Sequence, residues 1–339
     1  MSCFCPFPDE AEGNNLMPTA RMLLPILSVL LLISFPARAD VDVSFGNGFL
    51  WGYSQYQIGG LVHEKSGSTK YHFPISELRF PLDAVMFKTT VRADVGKNWQ
   101  FSISGETNLT EDTGKMEDSD WGYYTGSPAD QLDIYSESDT DMEAWLFDAK
   151  VAYTFFTSSR QWPAAGPGTN PAEPFFSSAI GLGFKYQKYD FDVHDLDQWY
   201  PSTPHAPHDL VSGLVLTYMA EYQIPYLELS MKMRPATGLS CSLSLAYAPL
   251  LNFQDEDHHL LRSKVLKADH DWNGHGGFVQ LAGTYWLPRN WFLQAEIEGQ
   301  YLKSSGRANG YVDGEWAYSI EQKVQSEQYH ALVQLGYSF

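Results

Sequence analysis

The stretch AVMFKTTVRADVGKNWQFSISGETNLT, residues 84–110, decides the fold. In its first half, Val85, Phe87, Val91, Ala93 and Val95 alternate with Lys88, Thr90, Arg92 and Asp94. A short turn at Gly96 and Lys97 follows, and the second half repeats the alternation with aromatic and aliphatic residues against polar ones. A period of two predicts two β-strands, each with one apolar and one polar face.

The same period recurs in NWFLQAEIEGQYL, residues 290–302, and in the terminal HALVQLGYSF, residues 330–339. No helical stripe occurs after Asp40. A secreted β-sandwich also alternates, but its strands are typically 5 or 6 residues long. Here the strands run to about 20 residues, their polar faces are charged, and aromatic residues lie near the ends of the apolar faces. These features favour an all-β, transmembrane antiparallel barrel.

Ten strands are predicted, at about 43–62, 70–95, 98–115, 137–156, 176–194, 211–233, 239–256, 262–287, 290–307 and 318–339. An even number brings both termini to the periplasmic side, as in bacterial outer-membrane barrels. Short turns near Gly96, Pro235 and Pro288, and a long one at Ser158–Pro174, are then periplasmic. Because about 9–11 residues cross the hydrocarbon layer, we expect these strands to extend above the membrane.

The N-terminal region has the features of a secretory signal. Arg21 precedes an apolar run from Met22 to Phe35, and Ala37-Arg38-Ala39 forms a small-x-small cleavage site. Residues 1–39 are therefore predicted to be a signal peptide, with Met17 or Met22 as alternative starts, and residues 40–339 a single outer-membrane barrel domain.

The charge of the chain limits the classes of molecule that it can bind. A formal net charge of -19 leaves no basic stripe for nucleic acid and favours cationic peptides instead. Of three cysteines only Cys241 lies in the predicted mature chain, so no disulfide can form there.

Two acidic motifs carry the candidate chemistry: KMEDSDW, residues 115–121, and QDEDHH, residues 254–259. Both end outward-running strands, four strands apart in a ring of ten, so we expect them to face each other across the extracellular mouth. Asp257 and His259, at i and i+2, project to one side of an extended segment, as an acid that orients a general base must. Asp118 and Asp120 share that spacing and could hold a water.

Simpler interpretations remain open. Acidic residues are common on solvated loops, so the Asp118 and Asp120 pair alone indicates little. A metal site of Asp255, Asp257, His258 and His259, with His270 and His275 nearby, is another alternative, although the spacing fits no zinc signature. Extending the outward parity of Cys241 to Tyr247 would also turn Asp257 and His259 outside the barrel, unless Pro249 marks a bulge.

With these residues in view, the chain resembles the omptins, outer-membrane endoproteases of Gram-negative bacteria. The resemblance covers about Phe49 to Phe339 and includes SELRFPLDA, MEDSDW, ADQLDIYSESDTDMEAWLFD, IPYLELSMKM, DEDHH followed by RSKV, and the terminal YSF. It implies a ten-stranded barrel whose active site faces the cell exterior.

The resemblance also implies roles. Asp257 and His259 form an aspartate–histidine dyad, with His258 a variable residue between them, and the opposing Asp118 and Asp120 help to activate water. Asp255 helps to hold a basic substrate side chain.

Lipopolysaccharide is implied as an activator rather than a bound cofactor, and no metal is implied. Of the basic cluster for lipid phosphates, Lys188 and Lys267 match, whereas Glu221 replaces one basic residue. The first-strand acid of the specificity pocket is replaced near Tyr56.

Two hypotheses follow from the sequence. The first is a monomeric surface endopeptidase that hydrolyses peptide bonds at or near basic residues of peptides and proteins, by means of a water activated by an aspartate and a histidine. The second is a catalytically inactive barrel that acts as an adhesin or narrow channel, because a fold does not establish an activity.

Overall fold

The computed structural model describes residues 39–124, 126–159, 175–203, 205–234 and 238–339. The predicted signal peptide, apart from Ala39, lies outside the described residues. So do Pro235 and nearly all of the long turn predicted at Ser158–Pro174. In the part of the chain that is described, no helix is long and apolar enough to cross a membrane.

The described residues form fourteen strands: β1 Ala39–Glu64, β2 Gly67–Lys70, β3 Ser76–Pro81, β4 Ala84–Val95, β5 Trp99–Asn108, β6 Asp112–Trp121, β7 Leu132–Ser159, β8 Phe175–Trp199, β9 Asp209–Arg234, β10 Leu239–His259, β11 Lys264–Asp269, β12 Gly274–Trp286, β13 Trp291–Val312 and β14 Glu315–Ser338. A short 3-10 helix, Leu260–Arg262, joins β10 to β11.

These strands close into a ring of about ten spans, because β14 pairs antiparallel with β1. Three spans are interrupted: β3 continues into β4, β5 into β6, and β11 into β12. The prediction of an antiparallel barrel of ten strands is therefore confirmed. Several strands are longer than the sequence suggested. The third span runs to Trp121 instead of 115, and the ninth to Val312 instead of 307.

The outer surface near the chain termini is an apolar belt. Large hydrophobic side chains on most of the walls are exposed there, among them Phe49, Phe101, Leu182, Leu229, Leu245, Leu281, Ile297 and Val333. Such a band is typical of the lipid-facing surface of an outer-membrane barrel. We call the part of the barrel beyond this belt, remote from the termini, the mouth.

Inside the barrel, side chains join strands that are not neighbours. Lys88 on β4 bonds Glu296 on β13 at 2.9 Å, and Lys150 on β7 bonds Glu228 on β9 at 2.9 Å. Both pairs are largely buried, so each ion has its charge compensated across the lumen.

Nearer the mouth, a layer of aromatic rings packs together, with the rings of Phe80 and Tyr218 centred 4.2 Å apart. We call this layer, formed by Tyr56, Phe80, Phe191, Tyr218, Tyr222 and Phe253, the aromatic layer. All six rings are fully buried. The aromatic layer therefore supports the mouth from below.

A bulge in β10 sets which residues enter the mouth. Between Tyr247 and Asn252, β10 has one residue more than β9, which runs only from Leu227 to Gln223. The register with β12 shifts over the same segment. An extra residue reverses the alternation of inside and outside. Pro249 and Leu250, both exposed, occupy it, so the parity conflict in the sequence is resolved in favour of a bulge.

This assignment predicts a labelling pattern. In a Cys241→Ser background, Glu256→Cys should react readily with a hydrophilic maleimide, because Glu256 lies on the outer face beyond the bulge. Phe253→Cys should stay protected, because Phe253 is fully buried. Mass spectrometry of the folded protein in detergent measures both rates. A reversed pattern would mean that β10 has no bulge.

Candidate active site

The end of β10 holds the predicted dyad. His259 Nε2 lies 3.1 Å from Asp257 Oδ2. Asp257 is only 1% exposed, whereas the His259 side chain is 17% exposed, so the imidazole alone of the two can meet a molecule in the mouth. Both side chains point into the barrel because they follow the bulge. This arrangement lets the carboxylate orient the imidazole and stabilise its cation.

Asp118 and Asp120 point into the mouth from the opposite wall, on β6. Burial is the main cause that raises the pKa of Asp118 well above its usual range, and the charges of Asp120 and Asp257 raise it further. Burial also raises the pKa of Asp120, against the effects of a Ser76 hydrogen bond and nearby cations. These carboxyls therefore hold a proton more readily than solvated aspartates.

The two motifs converge in one cleft. The charge of Asp257 acts on Asp118, and that of His259 acts on Asp120. The structure thus brings together the four residues that the sequence proposed from two distant motifs. Their catalytic roles stay predictions.

Asp257 has surroundings that the sequence did not reveal. The Tyr56 hydroxyl donates a hydrogen bond to Asp257 Oδ2, the oxygen that also faces His259. Burial opposes ionisation, but the charge of His259 and the bonds from His259 and Tyr56 lower the pKa of Asp257 below its usual value. Asp257 Oδ1 is buried without a partner in the described part of the chain. No local pattern around Tyr56 could have identified this contact across 201 residues.

Asp255, the proposed acceptor of a basic side chain, is 4% exposed. Its carboxyl group accepts hydrogen bonds from Gln322 Nε2 at 2.8 Å, from the Ala268 amide at 3.1 Å and from the Tyr218 hydroxyl at 3.2 Å. Burial is the main cause that raises the pKa of Asp255 to about 8. Asp255 is therefore largely neutral at pH 7, and its role stays a prediction.

Two cations also act on this cleft. Arg262 and Lys264, on and after the turn that follows His259, lower the pKa values of Asp118 and Asp120 by their charge. They belong to the RSK segment, to which the sequence assigned no function. They offset part of the negative charge that Asp118 and Asp120 bring to the cleft.

The proposed lipid-binding residues lie on the outer face and pair with acids. Lys188 Nζ is 2.7 Å from Asp190 Oδ2, and Lys267 Nζ is 2.8 Å from Glu256 Oε1. Glu221 lies opposite Lys188 in the neighbouring strand. These carboxylates would compete with lipid phosphates, so lipid binding by the two lysines stays a prediction.

Two histidines of the metal alternative have other partners. His258 Nε2 lies 2.5 Å from Glu256 on the outer face, while His270 contacts Ser304 and Gln322 inside the barrel. Within the described ranges, no group of three histidine, cysteine or acidic side chains could hold a metal ion.

Comparisons with known proteins identify the family and the fold. The model of the Omptin family matches residues 39–337. The crystal structure of the outer membrane protease OmpT from Escherichia coli superposes with a TM-score of 0.73 at 17% identity, over 91% of this chain and 99% of that one. OprG from Pseudomonas aeruginosa is less similar, with a TM-score of 0.38 at 13% identity, over 89% of this chain and 96% of that one. No curated protein matches the sequence.

The raised pKa of Asp118 predicts that its ionisation costs stability. An acid that binds its proton more tightly when folded loses folded-state stability as the pH rises from the ordinary aspartate range through the raised pKa. Asp118→Asn should therefore raise the free energy of unfolding at pH 8, by about 1.4 kcal/mol for each pKa unit relieved, and with it the urea midpoint. The gain should shrink towards pH 4.

Glu117→Gln, on the outer face of the same strand, serves as the control and should leave the midpoint unchanged at both pH values. Urea titration of the folded barrel in detergent measures each variant. A midpoint lowered by Asp118→Asn at pH 8 would contradict the burial of an unfavourable charge at this position.

Proposed function

This chain belongs to the omptin family, and from that premise we propose that it is an outer-membrane endopeptidase that uses an activated water. The observation that carries the proposal is the contact of His259 with Asp257, in the same cleft as Asp118 and Asp120. Family membership and the OmpT-like fold support an outer-membrane protease. The cleft lies at the end of the barrel remote from the termini, and we propose that this end faces the cell exterior.

In the proposed reaction, His259 is the general base. It takes a proton from water while the water oxygen forms a bond to the substrate carbonyl carbon. Asp257 stabilises the resulting imidazolium. The imidazolium then gives the proton to the leaving nitrogen as the carbon–nitrogen bond breaks, which releases an acid and an amine. No covalent enzyme intermediate is required.

The opposing carboxyls divide the remaining tasks. Burial and mutual repulsion raise the pKa of Asp118, so this pair retains a proton under conditions in which Asp257, with its lowered pKa, is ionised. A protonated carboxyl can donate a hydrogen bond to the developing oxyanion, and its ionised neighbour can hold the water. Two carboxyls with separated pKa values typically mark such a division of labour.

We propose that the substrates are peptides and proteins cut at or near basic residues. The net charge of -19 favours cationic partners, and Asp255 is the candidate acceptor of the basic side chain. Lipopolysaccharide is the proposed activator, through Lys188 and Lys267, and the proposed state is a monomer.

Removal of the base or of an opposing carboxyl should abolish most activity. We expect His259→Ala and Asp120→Asn each to lower kcat/KM on dibasic peptides by at least ~100-fold, the typical contribution of one general base. His258→Ala should be unaffected, because His258 points outward. Refolded protein with lipopolysaccharide is the sample, and mass spectrometry of the products gives the rates. Unchanged cleavage by either active-site variant would refute the assignment.

Selectivity for a basic side chain should depend on pH. Because the pKa of Asp255 is about 8, its ionised fraction rises about tenfold for each pH unit below that value. The kcat/KM ratio of an arginine peptide to its citrulline analogue should therefore increase by more than tenfold between pH 6 and pH 8. Any effect of pH on the hydrolytic step itself is common to both peptides and cancels in the ratio.

Asp255→Asn should give a ratio that does not change with pH. A ratio that is pH-independent in the unmodified protein would show that Asp255 does not bind the basic side chain.

A further inference from the structure

We propose that Tyr56 is a positioning residue of the active site, which fixes the Asp257 carboxylate and keeps it ionised so that His259 stays oriented for proton transfer. This inference rests on the proposed endopeptidase function. It adds a third member, supplied by β1 on a different wall of the barrel, to the pair that β10 provides.

The first observation is the shared oxygen. Asp257 Oδ2 accepts the hydrogen bond from the Tyr56 hydroxyl and also faces His259 Nε2 at 3.1 Å. Two donors on one oxygen define its direction, so the carboxylate cannot rotate without the loss of both contacts. Charge-assisted hydrogen bonds of this kind are about twice as strong as neutral ones.

The second observation is how rigidly Tyr56 is held. The side chain is only 1% exposed, and its ring lies 5.5 Å from that of Tyr218 and 6.5 Å from that of Phe80. Both neighbours belong to the aromatic layer and are themselves buried. A ring fixed in this way can place its hydroxyl with little further loss of entropy, which preorganised active sites require.

The third observation is chemical. Burial, followed by the charge of Asp257, raises the pKa of Tyr56 well above its usual range, so the phenol keeps its proton and acts as the donor. The groups whose charge acts on Asp257 are His259, Lys264, Asp118 and Asp255. Unlike these groups, Tyr56 acts on Asp257 as a neutral hydrogen-bond donor, so it favours the ionised Asp257 without adding a charge to the cleft.

A purely structural role for Tyr56 makes a different prediction. If the ring only fills space, Phe preserves it and nothing else changes. If the hydroxyl positions Asp257, its removal weakens the dyad although the packing is intact.

The test compares Tyr56→Phe with Tyr222→Phe in refolded protein with lipopolysaccharide. The Tyr222 hydroxyl lies 2.7 Å from Ser54 Oγ in the same aromatic layer and bonds a hydroxyl rather than a carboxylate, so it is the matched control. We expect Tyr56→Phe to lower kcat about tenfold, as expected for a lost hydrogen bond to a charged group, with KM unchanged. The acidic limb of its kcat profile should move to higher pH. Tyr222→Phe should change neither quantity.

An activity-independent measurement separates the two claims. With ¹³C-labelled aspartate carboxyls and Asp257→Asn for assignment, the Asp257 titration should move to higher pH in Tyr56→Phe and stay in place in Tyr222→Phe. If the unmodified protein cleaves no member of a peptide library, the proposed endopeptidase function is refuted. The Asp257 titration would still test the Tyr56 contact in that case. An active Tyr56→Phe variant with the original kcat, pH limb and titration would overturn the role of Tyr56.

If Tyr56→Phe does not fold, 3-fluorotyrosine at position 56 preserves the ring and strengthens the donor. The same titration should then move to lower pH. An unmoved titration in the folded fluorinated protein would likewise overturn the proposal.

Discussion

The mouth of this barrel depends on one constraint: in a closed antiparallel sheet, each side chain points either into the lumen or out of it. The extra residue at Pro249 and Leu250 reverses that choice for residues 251–259 of β10. In the part of β10 before the bulge, the inward side chains are small and mostly polar, and the outward side chains are apolar and form part of the belt. Above it, Asp257 and His259 turn inward. Without this single residue the carboxylates would face outward, and β6 would have no partner across the cleft.

Turning carboxylates inward has an electrostatic cost that the structure meets in two ways. In the lumen, ions such as Lys88 and Glu296 compensate each other directly. In the mouth, Asp118 and Asp120 have no such direct partner within the described chain, and burial raises their pKa values, while Arg262 and Lys264 lower them only in part. Burying these acids costs stability, and such a cost is common where a proposed function requires unfavourable groups to be held close together.

Much of the fold was readable from the sequence because apolar and polar residues that alternate over 20 positions are typical of long, two-faced strands and of little else. The ten spans and the antiparallel order follow from that period and from turns such as Gly96–Lys97. Strand ends were less readable: the acidic residues 115–121 look like a solvated loop, yet they pair with β3 and β7 as β6. A polar segment can therefore form a strand when neighbouring strands pair with its backbone groups. Only part of the candidate site could be predicted from the sequence. The shared direction of Asp257 and His259 follows from their spacing, whereas the contact of Tyr56 with Asp257 depends on packing between β1 and β10, which no local pattern records.

In the proposed mechanism, two motifs on opposite walls act on one water. A double-mutant cycle on Asp120→Asn and His259→Ala, measured as kcat/KM for one peptide, tests it most directly, because residues that act as a unit are strongly non-additive. We expect the double variant to be no more than about tenfold worse than the poorer single variant. Losses that multiply across the two positions would show that the carboxyl on β6 and the histidine on β10 act independently, and would contradict this mechanism.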